Sequence, residues 1–359
     1  MDLIVAGFLF MYNTRKPVQG GIRCMKTIVC VGGNKTVSGA RLGVNLAEVL
    51  HVLGQETAVW APKGKGNIYC EVPLKEYTAF TTVKSLAASL KKQKAVAVVS
   101  VMNLRACEAA QAAGVPYVYV EYENFKEDKP AKNKKALLQK AARVVVLGNG
   151  EGPLNKKIYP AHTLRVKTPA VWVEHYNYNK PACFKKENNI LAVGPLSKES
   201  GFDTLLKTWA HLAPAHTSWH LTIVGDGTQK AVLKRFITKN KLEASTEIVP
   251  AASDVYSLMR NADIFAYPAI KPTRADVLLD AMASKLPCVA CESAAVTEFI
   301  LNGVNGVIVN AAEEEPFTIA LDEMMVNWGK RVGFAVEASK LKDSYPFEVF
   351  VKAVVDGLN

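Results

Sequence analysis

No long hydrophobic run interrupts this chain of 359 residues. Its apolar opening, MDLIVAGFLFMY, ends at Tyr12, short of the ~20 residues that a helix needs to cross a bilayer. That opening has no basic leading segment and no recognisable cleavage site, so it does not read as a secretory signal. Residues 1–24 are expected to be an extension ahead of a first strand in MKTIVCVGG. A disulfide framework is missing too: the 7 cysteines are irregularly spaced. Cys288 and Cys291 form a C-x-x-C within the apolar run LPCVAC, but there they point to opposite faces of a strand and have no second ligand pair. The cytosol is the compartment these absences fit. The 6 histidines, His51, His162, His175, His211, His216 and His220, show no H-E-x-x-H or related spacing, and no metal site is expected. There is no G-x-S-x-G elbow to carry an acyl-transfer triad, and no low-complexity tract or short repeat.

What is present is ordinary for a globular protein: 49% hydrophobic and 21% charged residues, in a chain long enough for two domains. The net charge of +11 is uneven. Through Glu187 there are 28 Lys and Arg against 13 Asp and Glu, and beyond it 16 against 20. Much of the excess lies in FKEDKPAKNKKALLQKAARVVV, where Lys126, Lys129, Lys132, Lys134, Lys135, Lys140 and Arg143 precede or lie on a helix. One reading is a solvated surface. The other makes residues 126–143 a contact with an anionic membrane or a polyanionic acceptor, which would place the protein peripherally on the inner face of the membrane. No nucleic-acid motif or interleaved aromatic pattern accompanies the charge, so nucleic acid is not an expected partner.

Short, nearly continuous apolar runs alternate with helical patterns: KTIVCVGG, ETAVWAP, AVAVVSV, VPYVYVEY and RVVVLG, then ILAVG, HLTIVGDG, TEIVP, DIFAYPA, PCVAC and GVIVN. Such runs suit parallel strands covered on both faces. The fold class expected is α/β, with two Rossmann-like, doubly wound domains facing a cleft. The first should span residues 25–175 and the second 176–340. A helix over 341–359 would return to the first. Ligands in such sheets bind beyond the carboxyl ends of the strands.

Three glycine-bearing turns follow strands. VCVGGNKTVSGARLG matches neither the dinucleotide fingerprint nor the P-loop. Its Gly32, Gly33 and Gly39 would line an acceptor-side loop at a helix N-terminus, suited to an anion or a sugar hydroxyl, with a plain tight turn as the alternative. In VGPLSKESGFDTLLK, Gly194, Ser197, Lys198 and Ser200 stand ahead of a helix, where backbone N–H groups and a lysine suit a phosphate. IVGDGTQ, with Gly225 and Gly227, reads as structural.

From Ile190 to Asn310 the order of pieces resembles the nucleotide-sugar domain of retaining GT-B glycosyltransferases of family four (group 1). The matching stretches are ILAVGPLSKESGFDTLLKTWAHL, LTIVGDG, DVYSLMRNADIFAYPA, VLLDAMASKLPCVA and TEFILNGVNGVIV. The first half is similar more loosely, through GARLGVNLAEVLHVLGQETAVWAP, with Gln55 and Tyr122 where histidines are usual. The family's two diphosphate-binding cations fall here on Pro195 and Ser200. Its sugar-contacting glutamate falls on Pro272, its backbone-contacting glycine on Ala275, and its ribose-binding glutamate on Asp280. Glu298 matches a commonly acidic position, although the glycine pair ahead of it has become Ala294–Ala295.

The resemblance implies sugar transfer from a nucleotide diphosphate to a glycan or lipid-linked acceptor, with retention and with no cofactor or metal at the reaction centre. Lys198, Lys271 and Arg274 would then restore the positive charge that a departing diphosphate needs. No catalytic residue is assigned. The alternative is that catalysis is lost and the fold persists as a binding partner of an active transferase.

Overall fold

The computed structural model of the chain describes residues 26–31, 37–62, 72–77, 81–122, 133–148, 154–170, 187–250, 255–270, 272, 274–310 and 314–358. These fall into two compact units. The first reaches Pro169 and resumes at Pro346, and the second is Ala170–Tyr345.

The first unit holds seven parallel strands: β1 (Lys26–Val31), β2 (Glu56–Pro62), β3 (Leu74–Tyr77), β4 (Ala97–Val101), β5 (Tyr117–Tyr122), β6 (Arg143–Leu147) and β7 (Thr163–Val166). Their order is β3-β2-β1-β4-β5-β6-β7. β4 and β5 are buried at every position, as strands covered on both faces must be. The edge strands β3 and β7, LKEY and TLRV, carry polar residues and were not apparent as apolar runs. Helix α1 (Val37–Val52) follows β1, α2 (Val83–Lys92) precedes β4, and α3 (Leu104–Ala113) joins β4 to β5. α3 begins where the Asn103 side chain accepts the Ala106 N–H at 3.2 Å, and it ends at Gly114 in the left-handed region (φ 71°).

In α4 (Lys134–Lys140) the basic segment takes on structural work. Lys134 Nζ sits 2.7 Å from Glu121 Oε2, and the glutamate side chain is fully buried. The Tyr119 hydroxyl donates to the same oxygen at 3.1 Å. Arg143 Nη2 donates to the Asp356 carbonyl at 3.5 Å. These two members of the basic stretch are therefore held within the fold, while Lys135 and Lys140 are exposed. Lys126, Lys129 and Lys132 lie outside the described residues.

The second unit has six parallel strands: β8 (Asn189–Val193), β9 (His220–Val224), β10 (Thr246–Val249), β11 (Ile264–Tyr267), β12 (Cys288–Cys291) and β13 (Val307–Val309), ordered β10-β9-β8-β11-β12-β13. Alternation along the strands builds two cores. Leu191, Phe265 and Cys288 face Leu278, Leu279 and Met282. Ile190, Ile264, Val289 and Cys291 face Leu205, Trp209 and Phe317 on the other side. Cys288 and Cys291 thus lie in opposite cores. Burial pushes the Cys291 thiol up to about 12, and Cys288 higher, so neither is a thiolate near neutral pH.

The expected helix over 341–359 is two elements belonging to different units. α12 (Leu341–Ser344) ends in the second unit, and α13 (Phe347–Val355) packs in the first. The break falls at Pro346, which lacks an N–H and disfavours a helical conformation in the residue before it. The other division falls at Pro169–Ala170, and the expected boundary at 175–176 lies outside the described residues.

Candidate functional site

β8 has β9 on one side and β11 on the other, so the chain winds outward in both directions from this strand. Loops leaving the carboxyl ends of β8 and β11 diverge at such a reversal, where open α/β sheets take ligands. The first of these loops is Gly194–Gly201, which includes a 3-10 turn at Lys198–Ser200 and leads into α5 (Phe202–Leu212). The second runs from Pro268 to Ala275 and leads into α8 (Asp276–Ala283).

The two loops are stitched together. The Ile270 N–H donates to the Glu199 carbonyl at 3.1 Å. Gly201 has φ 67°, and a Cβ there would run into the Pro268 carbonyl, lying 2.8 Å from its carbon. The turn after β9 braces the first loop from behind. Leu196 N–H donates to the Asp226 carbonyl and Gln229 N–H to the Leu196 carbonyl, both at 2.9 Å. A Cβ on Gly225 or Gly227 would collide with the carbonyl of Gly194 or Leu196. The Gly225–Gly227 turn is therefore structural, as its sequence suggests.

On this frame the Ser197 and Ser200 hydroxyls lie 3.1 Å apart, with Ser200 buried and Lys198 exposed. Glu199 stands beside them. A hydrogen bond from its own N–H, then one from Ser197, with Lys198 nearby, holds its carboxyl below the usual range. Asp280 is 3% exposed, one turn into α8. Glu298 follows the short helix α9 (Ala294–Thr297), beyond the carboxyl end of β12, close enough to Tyr345 to help burial raise that phenol.

Arg274 is not the unengaged cation that the sequence suggests. Its Nη2 lies 2.7 Å from Asp276 Oδ2, with the side chains 26% and 9% exposed. The Tyr267 hydroxyl donates to the Arg274 carbonyl at 3.2 Å. Burial pushes that phenol up, and the Asp276 carboxylate pushes it further. Among the described residues of the two loops and the start of α8, the cations Lys198 and Arg274 are accompanied by the acids Glu199, Asp276 and Asp280. The strongly electropositive lining expected there is absent from these residues, because Asp276 carries a second charge that the expectation left out. Its signal was visible in TRAD, where an acid stands two residues after the arginine.

Lys271 lies outside the described residues, as do Gly32 and Gly33. Gly39 falls within α1, which starts at Val37, so it is a helical residue and not part of a loop. Among the described residues, no group of three or more His, Cys, Asp or Glu is placed to hold a metal ion, and no helix is long and apolar enough to cross a membrane.

Two parallel α/β units of this kind are shared with solved structures. A glycosyltransferase from Rickettsia africae superposes with a TM-score of 0.63 at 16% identity, covering 94% of this chain and 98% of that one. HepE from Anabaena, in complex with UDP-glucose, gives 0.64 at 16%, covering 93% and 99%. The fold is of the GT-B class. Residues 176–340, a little under half of the chain, match the family of glycosyl transferases group 1. The amylovoran biosynthesis glycosyltransferase AmsD of Erwinia amylovora is 31% identical over 175 residues, 49% of each chain. The chain spans about half the length of the curated relatives it matches.

Proposed function

We propose that this protein transfers a sugar, with retention, from a nucleotide diphosphate to a glycan or lipid-linked acceptor in polysaccharide or lipopolysaccharide assembly. The observation that carries this reading is the braced pair of loops at the reversal of the second sheet, with Asp280 buried one turn into α8. The nucleotide would lie along this edge, with Asp280 accepting from the ribose hydroxyls and the Ser197–Gly201 loop meeting the diphosphate through backbone N–H groups and Lys198. Glu298 would face the sugar. Neither a metal nor a cofactor is needed in this scheme, and the acceptor would bind the first unit. HepE was crystallised with UDP-glucose and AmsD acts in amylovoran biosynthesis; both support the choice of donor and product class.

Calorimetric titration with UDP, GDP and their sugars tests the reading, and binding of at least one is expected. If none binds, the protein is better read as a partner of an active transferase. Sedimentation with anionic and neutral vesicles tests the peripheral position separately. Equal binding to both would remove the role of residues 126–143.

A further inference from the structure

We propose that Asp276 is an internal competitor for the donor diphosphate and sets how tightly this site takes a nucleotide. The inference rests on the nucleotide-sugar reading above and concerns regulation of that same site.

α8 opens at the carboxyl end of β11, and its N-cap, Ala275, offers no side-chain cap. The positive end of a helix in that setting attracts an anion. Here the chain supplies its own. Asp276 is the first residue of α8, is 7% exposed, and forms the 2.7 Å pair with Arg274. One carboxylate thus occupies both the helix terminus and the nearest described cation on its loop. The pair is also held in place. Tyr267 anchors the Arg274 backbone, while the Ile270–Glu199 hydrogen bond and the Gly201–Pro268 contact fix this loop against the Ser197–Gly201 loop. A diphosphate approaching the shared edge therefore meets Arg274 already neutralised. It gains the guanidinium only by drawing it away from Asp276, and the exchanged carboxylate then repels the diphosphate.

The consequence is directional. Neutralising Asp276 strengthens diphosphate binding, and removing Arg274 weakens it because the carboxylate is left without its cation. A nucleoside, which has no phosphate, is indifferent to both changes. A role for Asp276 confined to helix capping would lower thermal stability without separating diphosphate from nucleoside.

The test is calorimetric titration of the full chain with UDP, GDP, uridine and guanosine, using wild type, Asp276→Asn and Arg274→Gln, with melting temperatures recorded for each. For the diphosphate that wild type binds, affinity should rise about tenfold in Asp276→Asn and fall by a similar factor in Arg274→Gln, with nucleoside affinity unchanged. If Asp276→Asn does not fold, the fall in Arg274→Gln, specific to the diphosphate, decides alone. Equal diphosphate affinity in all folded proteins would overturn this inference and leave the donor reading intact. A complete lack of nucleotide binding in wild type and both variants would overturn both.

Discussion

Replacing Gly201 by alanine probes the joint that holds the two loops of the site. Two effects act at this residue. An L-residue in the left-handed region costs about 1–2 kcal/mol. The new methyl group must also push away the Pro268 carbonyl, which separates the loops and breaks the Ile270–Glu199 hydrogen bond, a further ~0.5–1.5 kcal/mol. The sum, about 1.5–3.5 kcal/mol, corresponds to a fall of roughly 3–14 °C in the melting temperature of a unit this size. Gly303→Ala is the matched control: its φ is 77°, but a Cβ there meets nothing within 4 Å. It should show the conformational cost alone. Scanning calorimetry measures the difference, and hydrogen exchange at the Ile270 amide reports whether the loops have parted. If Gly201→Ala melts no lower than Gly303→Ala and Ile270 keeps its protection, the two loops are not joined as described.

Three other perturbations follow from the same reasoning. Lys134→Ala strands the buried Glu121 charge and should destabilise the first unit by about 3 kcal/mol in urea titration, whereas Lys135→Ala, at an exposed position, should change it by less than ~0.5 kcal/mol. Asp280→Asn should weaken UDP and uridine alike by about tenfold, because the ribose is common to both; a loss confined to UDP would contradict the assignment. Asp263, raised above the usual carboxylate range chiefly by burial, binds its proton more tightly folded than unfolded. Its charge therefore reduces stability progressively as pH rises from the unfolded value through the raised one. Asp263→Asn should accordingly stabilise the second unit near neutral pH, with the gain shrinking toward acid pH; a gain that grew on acidification would refute the sign.

The parallel sheets were legible because their central strands are unbroken apolar runs: AVVSV and IFAY can be little else once helices flank them. LKEY and TLRV were not, since an edge strand needs an apolar face only where it meets the core. The first loop of the site was legible as a glycine-bearing turn after a strand, and the second loop and Asp280 through their positions in the family pattern. The pairings were harder to see. Glu121 and Lys134 are separated by a stretch with no periodic pattern, and each looks like an ordinary surface charge until β5 buries one of them. Arg274 reads as an added cation in the sequence, because nothing there shows that Asp276, two residues on, pairs with it. Gly201 lies in the quoted turn ahead of a helix, but its contact with Pro268 depends on two loops that only the fold brings side by side.

The return of α13 to the first unit bears on how the protein is made. α13 packs on β6 and β7, and a Cβ on Gly357, in the turn after it, would come within 2.6 Å of Arg143 Cβ, so the chain's return completes a surface begun more than two hundred positions earlier. A ribosome releases the chain from its N-terminus, and domains fold as units as they emerge. The second unit can close while the first still lacks its final piece. During that interval the apolar side of the first sheet awaiting α13 is open to solvent and to chaperones, making the earlier-synthesised half the later one to mature.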